Sequence, residues 1–202
     1  MGMIAIEGIE ACGKSTQIKR LLEHYSASGR EVLLTSDLYH TVPGITAREL
    51  LLNEELEISP KTQTLLMTMA RMHHVEERIL PALAEGKLVI SDRFWPSTLA
   101  YNGPYTGWPV ELLQNACVET LGVTPDLVIF IDIPAELSKE RSQNRGSLDK
   151  FERRGVDFYR GVRASYQELA KKHGFVTIDG TASVDEVFAQ LVAAIDPVIG
   201  CV

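Results

Sequence analysis

The octapeptide Gly8-Ile9-Glu10-Ala11-Cys12-Gly13-Lys14-Ser15 restricts the fold of this chain more than any other feature. It fits G-x-x-x-x-G-K-[ST], and its surroundings fit too. The apolar run Met3-Ile4-Ala5-Ile6 precedes it, and Ile18, Leu21, Leu22 and Tyr25 follow at helical spacing, with Gly29 as a stop. A strand, a glycine-bearing loop and a helix, in that order, aim backbone N–H groups and the positive end of a helix dipole at one point. Such a cradle takes the phosphates of ATP or GTP. Gly8, Ile9, Glu10, Ala11, Cys12, Gly13 and Thr16 surround them, Lys14 reaches the β- and γ-phosphates, and Ser15 ligates Mg²⁺. The bland alternative is a chance glycine-rich turn, and the flanking strand and helix argue against it.

Short β-rich runs alternate with helical patterns along the rest of the chain. Val32-Leu33-Leu34, Leu88-Val89-Ile90, residues 127–131 and Phe175-Val176-Thr177-Ile178 read as strands. Residues 127–131 are the most apolar and read as the buried centre of a parallel sheet. A long helix is predicted from Ser59-Pro60 toward Leu83 and Gly86, with Pro81 kinking or interrupting it. Residues 111–121 read as a helix that stops at Gly122. Ser183 and Glu186 form a capping-box pattern before Val187, Phe188, Leu191 and Ile195. The alternation predicts right-handed βαβ units in one α/β domain spanning 1–202, with ligands at the carboxyl ends of the strands.

Composition narrows the function classes. A net charge of −7 argues against a non-specific nucleic-acid binder, so a phosphate site relies on local positive charge. Cys12, Cys117 and Cys201 are an odd, widely spaced set that suits neither a disulfide framework nor a zinc site, and a reducing cytoplasm is expected. Neither a signal peptide nor a membrane span is expected from the apolar runs.

Further chemistry sits where strands end. Asp92 is a candidate for Mg²⁺, directly or through water, and Arg93 for a phosphate; an ordinary surface ion pair is the alternative. Asp132 is the rival for Mg²⁺, ranked second because Arg93 neighbours Asp92. Arg141, Arg145, Lys150, Arg153 and Arg154 cluster between Pro134 and Val156, with Gly146 and Gly155 as hinges. A mobile basic lid over 141–155 and an exposed basic helix are both open readings. Met67 and Arg71 share a helix face, Met69 and Met72 read as core, and His73-His74 as surface or interface. Cys12 reads as a small loop filler rather than a redox group. Phe151, Phe158, Tyr159, Val162 and Tyr166 form a packing stripe.

From Ile4 to about Ala182 the chain resembles the bacterial thymidylate kinases. Glu7 through Glu10 and Gly13-Lys14-Ser15-Thr16-Gln17 are similar to that family's phosphate loop. Asp92-Arg93-Phe94 with Ser97-Thr98-Leu99-Ala100-Tyr101-Asn102-Gly103 resembles its D-R-x-x-x-S-[ST]-x-A-Y-Q-G signature, which other phosphate-loop proteins lack. Pro125-Asp126-Leu127 with Asp132 resembles its central strand, and Arg141-Ser142-Gln143-Asn144-Arg145-Gly146, Asp149-Lys150 and Glu152 its lid. The resemblance implies a three-layer P-loop NTPase fold with about five parallel strands flanked by helices. It implies ATP and Mg²⁺, a nucleoside monophosphate acceptor, and a homodimer through the middle helices. Arg71 and Arg93 would hold the acceptor phosphate, and Tyr101, beside Ser97, would crowd out a 2′-hydroxyl. Thr98 and Asn102 would face the base edge, Asp37 and Arg48 would line the pocket, and Arg141 would flank adenine near Gly180 and Thr181. Arg145 would lie over the transferring group. With uncharged Ala11 and Cys12 in the loop, the chain resembles the class that supplies its extra arginine from the lid. Glu10 would orient groups rather than abstract a proton, because an acceptor phosphate is already ionised.

The chain departs from that pattern around the acceptor. Thr35-Ser36-Asp37-Leu38-Tyr39-His40-Thr41 stands where the family has T-R-E-P-G-G-T, Met67 replaces a base-stacking phenylalanine, and Asn102 replaces a glutamine. The expected reaction is phosphorylation of dTMP to dTDP. The alternatives are a kinase for a modified or different deoxynucleoside monophosphate, a nucleotide-binding switch without turnover, and a nucleoside kinase. The lack of N-K-x-D weighs against the switch, and the paired arginines weigh against the nucleoside kinase.

Overall fold

The computed structural model describes residues 2–36, 38–118, 121–143 and 153–200, with backbone alone at 110, 111 and 117. Asp37, Arg145, Lys150, Phe151 and Cys201, and most of the lid segment, lie outside the described residues.

Five parallel strands form one sheet in the order β2-β3-β1-β4-β5: β1 (Gly2–Glu7), β2 (Val32–Thr35), β3 (Leu88–Asp92), β4 (Leu127–Asp132) and β5 (Val176–Asp179). All six residues of β1 are buried, because helices cover both faces of the sheet. β1 pairs with β3 (Ile6 opposite Asp92) and with β4 (Glu7 opposite Phe130). The middle of the sheet is therefore β1, not the 127–131 run. β4 is the more apolar strand, yet it lies one place off centre, between β1 and β5. Apolarity reports burial on two faces, which both strands share.

On one side, α1 (Lys14–Ala27) packs against α9 (Val184–Ile199), where Tyr25 donates to Asp196 at 2.9 Å. The Ser183–Glu186 capping box begins α9 as the sequence predicts. On the other side, α5 (Trp95–Thr106) packs between α3 (Pro60–His74) and α8 (Val156–His173). α2 (Val42–Leu52), α6 (Val110–Cys117) and α7 (Ala135–Gln143) flank that layer. The predicted helix over 111–121 is corrected to the shorter α6.

Pro81 does not break the long middle helix. A π turn, Val75–Ile79, joins α3 to α4 (Leu80–Ala84), and the Leu80 N–H reaches back five residues to the Val75 carbonyl. The wider turn precedes Pro81, which has no N–H to place and sits in the first turn of α4.

α3 also corrects the assignment of its inner face. Thr64, Thr68, Arg71 and His74 are buried, while Met69 and Met72 are 45% and 37% exposed. His74 is fully buried and lies 2.5 Å from the Thr35 hydroxyl, whereas His73 is half-buried beside Glu77. The inward stripe of α3 is polar because it backs the functional site, and an apolar-inside rule inverts there.

Candidate active site

The loop between β1 and α1 carries the backbone geometry that its glycines predict. Gly8 has φ 151° and Gly13 φ 100°; Ala11, without glycine's freedom, is held at φ 56°. Ile9, Ala11 and Cys12 are buried, and Ser15 and Thr16 stand at the start of α1. From α7, Ser138 donates to the Glu10 carbonyl at 2.7 Å and anchors the loop from outside, a contact no motif announces. A Cβ on Gly8 would lie 2.7 Å from both the Ile131 carbonyl oxygen and Cys12 Sγ. Gly8→Ala therefore combines a strained backbone with a clash against β4. We expect it to cost about 2–3 kcal/mol and to lower Tm by roughly 5–10 °C. A calorimetric Tm within about 2 °C of the parent would contradict this.

Lys14 is buried, and its ammonium donates to the carbonyls of Gly8 (3.1 Å) and Ile9 (3.2 Å) and contacts Cys12 Sγ (3.7 Å). Arg93 donates to the same Gly8 carbonyl at 2.9 Å. Two cations, one from the loop and one from the end of β3, thus converge on a single carbonyl.

Arg93 has φ 71°, a left-handed conformation costly for a long side chain. Neighbouring groups fix that turn. The Arg93 N–H donates to Ile6 O (3.0 Å), Ser91 Oγ donates to Arg93 O (2.6 Å), and the Phe94 N–H donates to Glu7 Oε1 (2.7 Å). The guanidinium then reaches Glu10 Oε1 (2.6 Å), Ser97 Oγ (3.1 Å), Tyr166 OH (3.2 Å) and Tyr101 OH (3.3 Å). Burial opposes the Arg93 charge, but the surrounding Tyr101, Glu10, Tyr166 and Asp92 raise its pKa well above the usual arginine value. Burial likewise pushes the Tyr101 and Tyr166 phenols far up, so both stay protonated.

Two cavities meet at this arginine. One, of about 240 Å³, is lined by loop residues 10–15, Ser36, Tyr39, Asp92 and Arg93. The other, of about 130 Å³, is lined mainly by apolar groups from Leu38, Leu51, Met67 and Tyr101, with Ser97, Asn102, Glu10 and Arg93. Glu10 and Arg93 belong to both walls. Larger hollows of about 310 and 400 Å³, beside Gly2 and beside Phe175, gather no comparable set of cations and loop N–H groups.

Some of the expected acceptor-side residues stand outside the lining of this second cavity. Arg71 is fully buried and donates to Thr98 Oγ1 at 3.0 Å, and neither residue is in the lining of the acceptor-side cavity. Arg48 lies over the Tyr39 ring, 4.9 Å from its centroid, and is likewise outside that lining. Asn102 Nδ2 lies 3.8 Å from Met67 Sδ, which puts the two replaced positions in contact. Arg141 points at the Gly180 carbonyl (3.5 Å), and Thr181 is fastened to Asp179 Oδ1. Asp132 is engaged by Arg163 (2.6 and 3.0 Å) and Gln167 (3.0 Å). Asp92 Oδ1, by contrast, is buried without a hydrogen-bond partner among the described residues. That difference gives a physical reason to rank Asp92 above Asp132. Glu7, Ser138 and Tyr166 belong to the site as well, and no motif marks their roles, since each acts through a partner distant in sequence.

A family model described as thymidylate kinase matches residues 6–191. The chain is similar to proteins named thymidylate kinase from Carboxydothermus hydrogenoformans (36% identity, 93% of each chain) and Kosmotoga olearia (37%, 94% of this chain and 92% of the relative). It is similar as well to the one from Caulobacter vibrioides (39%, 93% and 92%). With the phosphate loop, the Asp92–Arg93 turn and the two joined cavities in place, the chain belongs to the thymidylate kinase family.

Proposed function

We propose that this protein transfers the γ-phosphoryl group of ATP to dTMP, giving dTDP and ADP. The observation that carries the proposal is the shared Glu10–Arg93 wall between a phosphate-loop cavity and a mainly apolar one. The triphosphate occupies the loop side, where backbone N–H groups and Lys14 meet its β- and γ-oxygens. The acceptor nucleoside occupies the other side, its sugar against Tyr101 and its base toward Met67 and Asn102. Its phosphate faces Arg93. An acceptor phosphate oxygen attacks the γ-phosphorus in line, the bond to the β–γ bridging oxygen breaks, and the electrons leave on ADP. No general base is required; positioning and charge neutralisation carry the reaction. Arg71, through Thr98, supports the acceptor end, and Arg141 with Gly180 and Thr181 frames the adenine. Arg145, Asp37 and Arg48 complete the proposed set by resemblance.

Ser15 and Asp92 line one cavity with Lys14, and the buried Asp92 oxygen, unpartnered among the described residues, suits a hard cation. These two residues would hold Mg²⁺, which would supply charge neutralisation for the triphosphate. A homodimer is proposed through α3 and α4, whose Leu65, Met69, Met72 and Leu80 are exposed. A cytoplasmic setting suits the buried free thiol of Cys12. Among the described residues no helix is long and apolar enough to cross a membrane.

An ADP-release assay across deoxynucleoside monophosphates tests the reaction. The highest kcat/KM is expected for dTMP, and dTMP lagging another acceptor about tenfold would reject the assignment. The Met67–Asn102 contact favours one second reading, a pyrimidine with a bulkier 5-substituent, because a thioether adapts its shape where a ring does not. The panel therefore includes 5-hydroxymethyl-dUMP.

A further inference from the structure

We infer that Glu7 works as a neutral carboxylic acid and is the positioning residue that sets Arg93 for the acceptor phosphate. The inference rests on the role of Arg93 given above. Glu7 ends β1 and is fully buried. Its Oε1 accepts the Phe94 N–H at 2.7 Å. Its Oε2 stands 2.7 Å from Ser97 Oγ and 2.8 Å from Tyr166 OH, and those two hydroxyl oxygens are 2.7 Å from each other. Three oxygens thus form a triangle with a hydrogen-bond distance on every edge. For all three edges to be hydrogen bonds, three protons are needed. The two hydroxyls supply two, and the third belongs to the carboxyl group. Arg93 Nη1 donates to the two hydroxyl oxygens at 3.1 and 3.2 Å.

Charge counting agrees. Arg93 already faces the Glu10 carboxylate at 2.6 Å. A second carboxylate would add negative charge where a phosphate dianion must enter, whereas a neutral Glu7 adds none. The groups that face Glu7 are Arg93, Ser97 and Tyr166; Glu10, Tyr101, Asp92 and Lys14 act on it through Arg93 and the Gly8 carbonyl. Burial pushes the Glu7 carboxyl upward from the ordinary carboxylate range, against the opposing pull of the Arg93 charge and of three hydrogen bonds.

Glu7→Gln and Glu7→Ala in the intact protein test this. Glutamine mimics the neutral acid, with one acceptor oxygen and one donor. It should lower kcat/KM for dTMP less than about fivefold. Alanine should lower it about fiftyfold, chiefly through the acceptor KM, with the ATP KM changing less than about twofold. In the parent the acceptor KM should climb as rising pH takes the proton from Glu7 beside Arg93, and the Gln variant should lack this rise. Infrared difference spectra of parent against Glu7→Gln at neutral pH should show the carbonyl stretch of a protonated carboxyl group. No such band, or a Gln variant as impaired as the Ala variant, overturns the inference. If Glu7→Ala does not fold, the Gln variant and the spectrum decide. An intact infrared band alongside an Arg93→Ala variant with normal acceptor KM would fault the role of Arg93 rather than the protonation of Glu7.

Discussion

Arg93→Ala is expected to lower kcat/KM for dTMP by about a thousandfold, equivalent to roughly 4 kcal/mol of transition-state stabilisation. Among the described residues, the guanidinium is the only cationic group that lines both cavities while also reaching the Gly8 carbonyl and Glu10. Its loss removes the cation that, among the described residues, borders both cavities and faces the acceptor phosphate. The acceptor KM should rise at least about tenfold, with kcat falling as well, while the ATP KM stays within about threefold. Arg93→Lys keeps the charge but not the planar fork that spans Glu10, Ser97 and Tyr101, so it should recover less than about a tenth of the lost activity. Steady-state kinetics with each substrate varied in turn would measure this. An ATP KM displaced as far as the acceptor KM would mean that Arg93 serves the phosphate loop instead.

The second large effect belongs to the loop. Lys14→Ala should lower kcat about a thousandfold, because its charge meets the transferring group where it develops in the transition state. In this role the residue would need no large rearrangement. Its ammonium is already buried and turned back on the Gly8 and Ile9 carbonyls, so an incoming phosphate replaces dipoles by a full negative charge. Binding should be read separately from turnover. ATP at about a hundred times its Kd stabilises a folded protein by about 2.7 kcal/mol, a Tm rise of several degrees. The Lys14→Ala protein should lose most of that rise while melting near the parent temperature without nucleotide. An unchanged ATP-dependent rise would place the triphosphate elsewhere.

Much of this was legible in the chain because it is local. The phosphate loop, the first strand and the capping box of α9 are each set by residues within a few positions of one another. α2 is not among the predicted elements, although Thr41 caps it by accepting the Gly44 N–H at 3.2 Å and Pro43 sits in its first turn. Two other elements hide for a physical reason. α5 is buried from Trp95 through Asn102, so it has no polar face to give a period. The inner face of α3 is polar, so Met69 and Met72 point outward.

By itself the sequence determined the five strands and their alternation with helices, the phosphate loop and the Asp92–Arg93 pair at a strand end, since each depends on neighbouring residues and on backbone sterics. Only the tertiary structure decided the rest. It put β1 in the centre of the sheet, gave Asp132 to Arg163 while leaving an Asp92 oxygen unpartnered among the described residues, and gathered Glu7, Ser97 and Tyr166 into one triangle. Those contacts join residues up to 159 positions apart. Their energies depend on burial and on mutual distance, and no local pattern of residues encodes either quantity.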